Sequence, residues 1–432
     1  MEWLGVVVLG GSIAVLLALG VPVAFSIGIS TVLTMLTSIK MGPAVTTMAQ
    51  RIATGLDSFT LLAIPFFILA GQLMNRGGIA RRLIEFAKAL LGGLPGGLAH
   101  VNILAAMLFA AISGSSVATA SAVGSIMGPR MEEEGYERSF GAAVNITAAT
   151  TGLIIPPSNV LIVFSLASGG VSITALFLAG YVPGILVGLS LMVVAAVIAV
   201  RRKYPVGERT SGREIVRRFL AALPSLFMLV VVMGGIVSGI FTATEAAAVA
   251  VLYALILALV YREITLDDLP QILLGTSATT AVVLLLVGTS IGMSWILAYE
   301  NIPQTVSLAL VGLTDSKILI LLIINVILLA VGVFMDITPA ILIFTPIFLP
   351  ITAQLGVDPT HFGIIMVLNL CIGICTPPVG TVLFVGVGVA GTTITRVLRP
   401  LLPLYLAMVA ALLVVTYVPG LALWLPRLFG AQ

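Results

Sequence analysis

Charge is the scarcest thing in this sequence. Only 9% of its 432 residues are Asp, Glu, Lys or Arg, where a soluble domain carries about 25%. A water-soluble globular fold is therefore excluded. Cysteine and histidine number two each, too few for a disulfide framework. Cys371 and Cys375 stand four apart on one helical face, read as core thiols, because a metal centre needs more ligands nearby. His100 and His361 fall at hairpin or helix ends and read as structural. No HExxH motif or nucleophile–base pair is present, so an intramembrane enzyme is not expected. Met1-Glu2 lacks the basic stretch of a cleavable signal peptide. The formal net charge is +3, with the basic residues set in loops between apolar runs, so nucleic acid is not an expected partner.

Apolar residues fill that space: 60% of the chain is hydrophobic and mean hydropathy is +1.23. Many runs reach the ~20 residues that span a bilayer. The expected class is an all-α polytopic membrane protein. Within it, residues 111–165 are unusual. They hold a polar cluster, Ser113, Gly114, Ser115 and Ser116, and a Pro156-Pro157 pair followed at once by Ser158-Asn159. The first reads as the tip of a re-entrant hairpin, the second as a helix broken at membrane depth. Freed backbone groups are not tolerable facing lipid, only lining a cavity or binding an ion.

The pattern recurs in residues 334–389. Pro377 minus Pro156 is 221, and Pro378 minus Pro157, Pro350 minus Pro129 and Gly373 minus Gly152 give the same offset. Broken helices at corresponding places in two halves point to a secondary transporter's binding site. The expected divisions are N-terminal scaffold spans and an interfacial helix (1–58), a first repeat with arm, hairpin and broken helix (59–171), scaffold spans and a linker (172–275), a second repeat (276–392) and a C-terminal scaffold span (393–432). Within them, residues 130–138 and 351–361 read as loops. Residues 262–274 read as a polar helix separate from a span over 277–297.

Charge orients the halves. The first arm carries Arg76, Arg81, Arg82 and Lys88, and the loop after the first hairpin carries Arg130 and Arg138. The counterparts, residues 300–315 and 351–360, contain no Lys or Arg. Basic loops are cytoplasmic, so the first hairpin opens to the cytoplasm, the second to the other side, and the repeat is inverted. The linker, with Arg201, Arg202, Lys203, Arg209, Arg213, Arg217 and Arg218 against Glu208 and Glu214, falls inside. Lys40, Arg51 and Lys317 fall outside, against this drawing, and both termini are then outside.

A proline lacks the N–H that would bond the carbonyl four residues back. Pro156 and Pro157 thus free the carbonyls of Gly152 and Leu153, and Pro377 and Pro378 those of Gly373 and Ile374. Such oxygens suit an alkali cation. Neither hairpin nor broken helix carries Lys or Arg in its apolar core, so an anionic substrate would be neutralised by helix N-termini and co-bound cations. The intramembrane acids are Asp57, Glu245 and Asp336. Asp336, at the second tip, is the best ion-site candidate; Asp57-Ser58 reads as a cap for the helix starting at Phe59, and Glu245 as a cap or interface residue. The polar groups expected to meet substrate are Ser58, Ser116, Asn159, Asp336, Thr338 and Thr381. A channel would use a symmetric ring of chains, whereas the internal repeat favours alternating access.

The sequence also resembles a known family. Residues 55–83 (GLDSFTLLAIPFFILAGQLMNRGGIARRL), 113–127 (SGSSVATASAVGSIM), PPSN at 156–159 and CTPPVGT at 375–381 look like the large membrane subunit of tripartite ATP-independent periplasmic (TRAP) transporters, the DctM-like subunit. The likeness covers essentially the whole chain. It implies a sodium-driven elevator in a bacterial inner membrane, working with a separate small four-helix membrane subunit and a periplasmic binding protein that delivers a small organic anion. It implies two sodium sites: Ser113, Gly114, Ser115 and Ser116 with Gly152, Ile155 and Pro157, and Gly332, Asp336 and Thr338 with Gly373, Thr376 and Val379. The rival expectation is a stand-alone sodium–dicarboxylate symporter of the same superfamily.

Overall fold

The computed structural model describes residues 4–207, 210–314, 316–377 and 379–431. Glu208, Arg209, Asp315 and Pro378, invoked above, lie outside them. The described residues form helices joined by short turns, with no strand among them. α1 (Leu4–Ala18), α2 (Val23–Met35) and α3 (Met41–Leu56) come first. A 3-10 turn, Phe59–Leu62, leads into α4 (Ala63–Arg76), and α5 (Ile79–Leu91) is the first arm. Hairpin 1 is α6 (Gly97–Ser113) and α7 (Ser116–Glu133); α8 (Arg138–Thr151) and α9 (Asn159–Ala167) are the first broken helix. α10 (Ile173–Arg202), α11 (Gly212–Val237), α12 (Ala243–Val260), α13 (Leu269–Tyr299) and the second arm α14 (Ile302–Leu313) follow. Hairpin 2 is α15 (Lys317–Phe334) and α16 (Ile337–Gln354), the second broken helix is α17 (Pro359–Gly373) and α18 (Thr381–Val389), and α19 (Ile394–Tyr417) and α20 (Gly420–Leu428) end the chain. Among the described residues eight helices are long and apolar enough to cross a membrane.

Local chemistry sets these boundaries. α6 stops where Gly114 takes a left-handed φ of +63°, open to glycine at no steric cost. α7 and α9 each start at a serine whose Oγ accepts a backbone N–H: Ser115 from Ala118 at 3.2 Å and Ser158 from Leu161 at 3.4 Å. These are N-caps. The arm α5 buries Ile79, Leu83, Ile84 and Ala87 and exposes Arg81, the spacing of an amphipathic helix. Three expected boundaries differ. Residues 130–138 and 351–361 are mostly helical: α7 and α16 continue through Pro129 and Pro350, and only 134–137 and 355–358 lie between helices. Of the polar helix expected over 262–274, residues 262–265 are not helical, and the rest, after a 3-10 turn at Leu266–Asp268, runs on into the span as α13. No proline interrupts residues 271–299, and buried Thr276 donates to Ile272 O at 2.8 Å, so its hydroxyl is satisfied within the helix.

The repeat is visible in the helices themselves. α7 and α16 begin and end 221 positions apart (Ser116 to Ile337, Glu133 to Gln354), and α10 and α19 start 221 apart (Ile173 to Ile394). The halves interlock reciprocally. α7 packs on α18 and α16 on α9; α4 packs on α12 and α13 on α2; α8 packs on α19 and α17 on α10. Exchanged pairs of this kind are what a two-fold relation between inverted halves produces. Two packing groups result. α1–α4 and α11–α13 form one; the hairpins, the broken helices, α10, α19 and α20 form the other. The expected segments divided the chain differently, placing α10 and α19 with the scaffold and α4 and most of α13 with the repeats. Helix packing follows the two-fold exchange rather than chain order, so the three middle segments, 59–171, 172–275 and 276–392, are each shared between the groups.

Glycines set the closest approaches. A Cβ on Gly373 would strike the backbone of Gly332, which has no flexible end to give way. Gly373→Ala should lower the midpoint of thermal unfolding, at a cost of about 1–3 kcal/mol. Gly128 lies in helix with open space where its Cβ would be, so Gly128→Ala should leave the midpoint unchanged or raise it. Melting the two purified variants checks both.

Candidate ion and substrate site at the hairpin tips

One cavity of about 320 Å³ collects the features read from the sequence. Ser113, Gly114 and Ser115 of tip 1 line it, as do Asp336 and Thr338 of tip 2 and Asn159 at the start of α9. Tip 1 is held by its own hydroxyls: Thr119 Oγ1 donates to Ser115 O at 2.7 Å and lies 3.3 Å from Ser113 Oγ. α4 crosses so close to this tip that a side chain on Gly71 would overlap Ser113 O. Gly114 faces the Asn159 amide, with Nδ2 2.9 Å from where a Cβ would be. Tip 1 and the first break are therefore in direct contact.

The breaks differ from the simple expectation. Gly152 O accepts no hydrogen bond among the described residues, as expected. Leu153 O is not free: Ser158 Oγ donates to it at 2.5 Å. At the second break Gly373 O accepts Thr376 N–H at 2.8 Å and Ile374 O accepts Val382 N–H at 3.2 Å. Donors nearby in sequence replace the missing proline N–H, because an unpaired carbonyl in a dry interior costs several kcal/mol. A carbonyl has two lone pairs, so each of these oxygens can still accept a second partner. Gly332 and Gly373 lie back to back, which joins hairpin 2 to the second break. Thr376 Oγ1 donates to Ile372 O at 2.8 Å.

Asp336 precedes α16 without a side-chain capping bond. It faces the Thr381 hydroxyl and the Ile337 N–H and is exposed to the cavity. Ser116, buried at the start of α7, and Thr381, exposed at the start of α18, adjoin the tips without lining the cavity. Ile155 packs under Gly184 of α10 and Pro157 is buried; Val379 is exposed. Ser58 and Asp57 are elsewhere. The turn they precede is anchored to the other packing group, where Thr244 Oγ1 donates to Phe59 O at 3.2 Å, and Ser58 makes no capping bond. The capping expected of Asp57-Ser58 is thus not what holds this turn.

The histidines, Glu245 and Cys375 have structural partners. His100 Nε2 is 3.1 Å from Pro95 O and His361 Nε2 is 2.8 Å from Val415 O. Glu245 closes a capping box with Thr242. Cys375 Sγ is 3.6 Å from Thr150 Oγ1. Among the described residues no three His, Cys, Asp or Glu gather as metal ligands. The donors that the cavity offers a cation are the hydroxyl and carbonyl oxygens around Asp336. Sequence reasoning missed three polar lining residues: Gln72 and Asn75 on α4 and Thr279 on α13. Two amides three apart in the apolar run of α4 were a readable signal, since residues at that spacing share a face.

Over residues 11–421 the sequence matches the family described as tripartite ATP-independent periplasmic transporter, DctM component. The chain belongs to this family. It is similar to YgiK of Salmonella typhimurium, 56% identical with 98% of each chain covered. It is 44% identical to the C4-dicarboxylate TRAP transporter large permease protein DctM of Pseudomonas aeruginosa, over 94% of each chain. It is 43% identical to the isethionate TRAP transporter permease protein DctMQ of Oleidesulfovibrio alaskensis, covering 96% of this chain and 66% of that one. The crystal structure of the YdaH transporter of Alcanivorax borkumensis shares the fold, with a TM-score of 0.65 at 15% identity and 88% of each chain covered. This DctM-family chain is a multi-pass membrane transporter subunit and not an enzyme, its relatives being permeases by name.

Ser158 both caps α9 and holds Leu153 O. Ser158→Ala removes both bonds and leaves a buried carbonyl unpaired. We expect a loss of about 1–3 kcal/mol, read as a lowered unfolding midpoint, with Ser158→Thr retaining most of it.

Proposed function

We propose that this DctM-family subunit imports a small organic anion together with sodium across the bacterial inner membrane. The observation that carries the reading is the single cavity at which both tips, Asn159 and Asp336 meet. It is lined by no Lys or Arg. Three helices, α7, α9 and α16, start at its wall, and helix N-termini favour negative charge. Asp336 works against an anion unless a cation accompanies it, and the Gly152 carbonyl and tip hydroxyls are hard-oxygen ligands. The names of two relatives specify C4-dicarboxylate and isethionate, both anions.

An elevator motion is supported by where the cavity lies. α4 and α13 of one packing group supply Gln72, Asn75 and Thr279 with apolar neighbours; the hairpins and α9 of the other supply Ser113, Ser115, Asn159, Asp336 and Thr338. Sliding one group past the other would carry the tips and their cargo while the opposite wall stays in place. The tripartite family description supports a small membrane subunit and a periplasmic binding protein as partners. The DctMQ relative is longer than this chain.

Reconstituted with both partners, the complex should accumulate substrate under an inward sodium gradient and little under a proton gradient alone; full uptake in sodium-free buffer contradicts the reading. The subunit by itself should transport poorly, and robust uptake of free substrate without partners would favour a stand-alone symporter. Asp336→Asn should raise the sodium concentration for half-maximal uptake about tenfold to a hundredfold, the weight of a hydrogen bond to a charged group. Ser116→Ala should act in the same direction but less. Unchanged sodium dependence in Asp336→Asn would reduce this residue to a helix cap.

A further inference from the structure

A chain of alternating charges crosses the boundary between the two packing groups, on the side that the basic loops mark as cytoplasmic. Its centre is Glu85 of the arm α5. Arg130, near the end of α7 in hairpin 1, donates through Nη2 to Glu85 Oε1 at 2.7 Å. Arg218 of α11, in the other packing group, has Nη1 3.8 Å from Glu85 Oε2 and donates through Nε to Glu214 Oε1 at 2.8 Å. A second pair ties the arm to the hairpin, with Lys88 Nζ 3.7 Å from Glu134 Oε1. One carboxylate is thus shared by an arginine from each group. Its side chain is 21% exposed, against 34% for Arg130 and 38% for Arg218. Arg130 Nη1 is buried without a partner among the described residues, so Glu85 is the group that balances this guanidinium.

The arm lies between the groups, packed on α6 and on α11. Toward α11 and α12 it adds aromatic contacts: Phe86 and Phe219 ring centroids are 5.5 Å apart, and the Arg82 guanidinium sits 3.5 Å over the Tyr261 ring. The other repeat makes the equivalent arm–hairpin contact without charge. At the offset of 221, Glu85 corresponds to Val306, Lys88 to Ala309, Arg130 to Ile351 and Glu134 to Leu355. Val306 and Leu355 pack against the hydrophobic core to which Ile351 belongs. Apolar surfaces that part into water lose stabilisation in proportion to their area. Half-exposed charges that part are each hydrated, so their contact opens at small cost. Of the two arm–hairpin contacts, the first is therefore suited to break and re-form.

We propose that Glu85 is the centre of an ionic clasp that holds the two packing groups in the relative position of this structure and opens when they slide. The inference rests on the elevator motion proposed above. The two oxygens of Glu85 engage opposite groups, so the carboxylate keeps both arginines only while α7 and α11 stand level with it. A slide of one helical turn, about 5 Å, exceeds either separation and leaves Glu85 with one arginine or the other. The members are a fifth to two-fifths exposed, so the clasp biases the equilibrium about threefold rather than locking it. Salt screens such a contact.

Ser125 of α7 and Val216 of α11 are exposed, so Ser125→Cys and Val216→Cys can carry nitroxide labels; Cys371 and Cys375 are buried. The labelled chain is reconstituted with its small subunit in nanodiscs, and double electron–electron resonance reads the distance between labels. The clasped position gives one distance and the shifted position a second. Glu85→Gln should raise the population of the second distance about threefold over the parent. Arg218→Gln, at a more exposed position, should act in the same direction, and the two together should do no more than Glu85→Gln alone. Added choline chloride should raise the second population of the parent toward that of Glu85→Gln and leave Glu85→Gln unchanged. Two distances in the same proportion in the parent, Glu85→Gln and Arg218→Gln overturn the clasp and leave the proposed function standing. A shift in the variants that salt does not reproduce in the parent indicates lost packing and also overturns it. A single unvarying distance in the parent and both variants, with and without sodium, contradicts the elevator motion and removes this inference with it.

Discussion

A backbone group freed at membrane depth has to find a partner, and the structure of this chain follows from how it does so. Two proline-broken helices and two re-entrant tips expose carbonyls and amides in a protein with few charges to meet them. Local donors take most of the load: Ser158 Oγ holds Leu153 O, and Thr376 and Val382 N–H groups hold Gly373 O and Ile374 O. What is left over is Gly152 O at the first break and the tip hydroxyls that line the cavity with Asp336. The same rule explains the glycines at the crossings. Gly71 against Ser113 O, Gly180 against Ile154 O and Gly332 against Gly373 bring helices close enough to bury the irregular backbone away from lipid.

The inverted repeat gives this arrangement a second role. Because α7 packs on α18 and α16 on α9, each hairpin closes over the broken helix of the other half, and both tips reach one cavity. A two-fold relation makes the two sides alike, and transport needs them to be equivalent in energy but opposite in access. Departures from symmetry are then informative. The tips themselves differ, Ser-Gly-Ser-Ser against Met-Asp-Ile-Thr-Pro, and only the second carries an acid.

Much of this was legible in the chain. The prolines at 156, 157, 377 and 378 and their shared offset placed both breaks, and polar residues in apolar runs placed both tips. The charged loops implied inversion before any contact was known. Other features were hidden for physical reasons. Proline identifies which carbonyl loses its usual donor, but not which neighbour replaces it, so the role of Ser158 had to be seen. Thr279 lies on a span, α13, whose overall apolar pattern masks a few polar positions. The grouping of α10 and α19 with the hairpins could not be read from chain order, because reciprocal packing exchanges partners between halves. The Asp57-Ser58 pair looked like a cap by residue type alone; the turn is held instead from α12 through Thr244.

The central claim is that both tips meet at one ion-dependent cavity. Hydrogen exchange of the purified chain, titrated with sodium at constant ionic strength, tests it most directly. The account predicts that sodium, and not potassium, slows exchange in the peptides containing residues 113–116 and 335–338 together, over the same concentration range. Protection of one tip without the other, or equal protection by potassium, would contradict it.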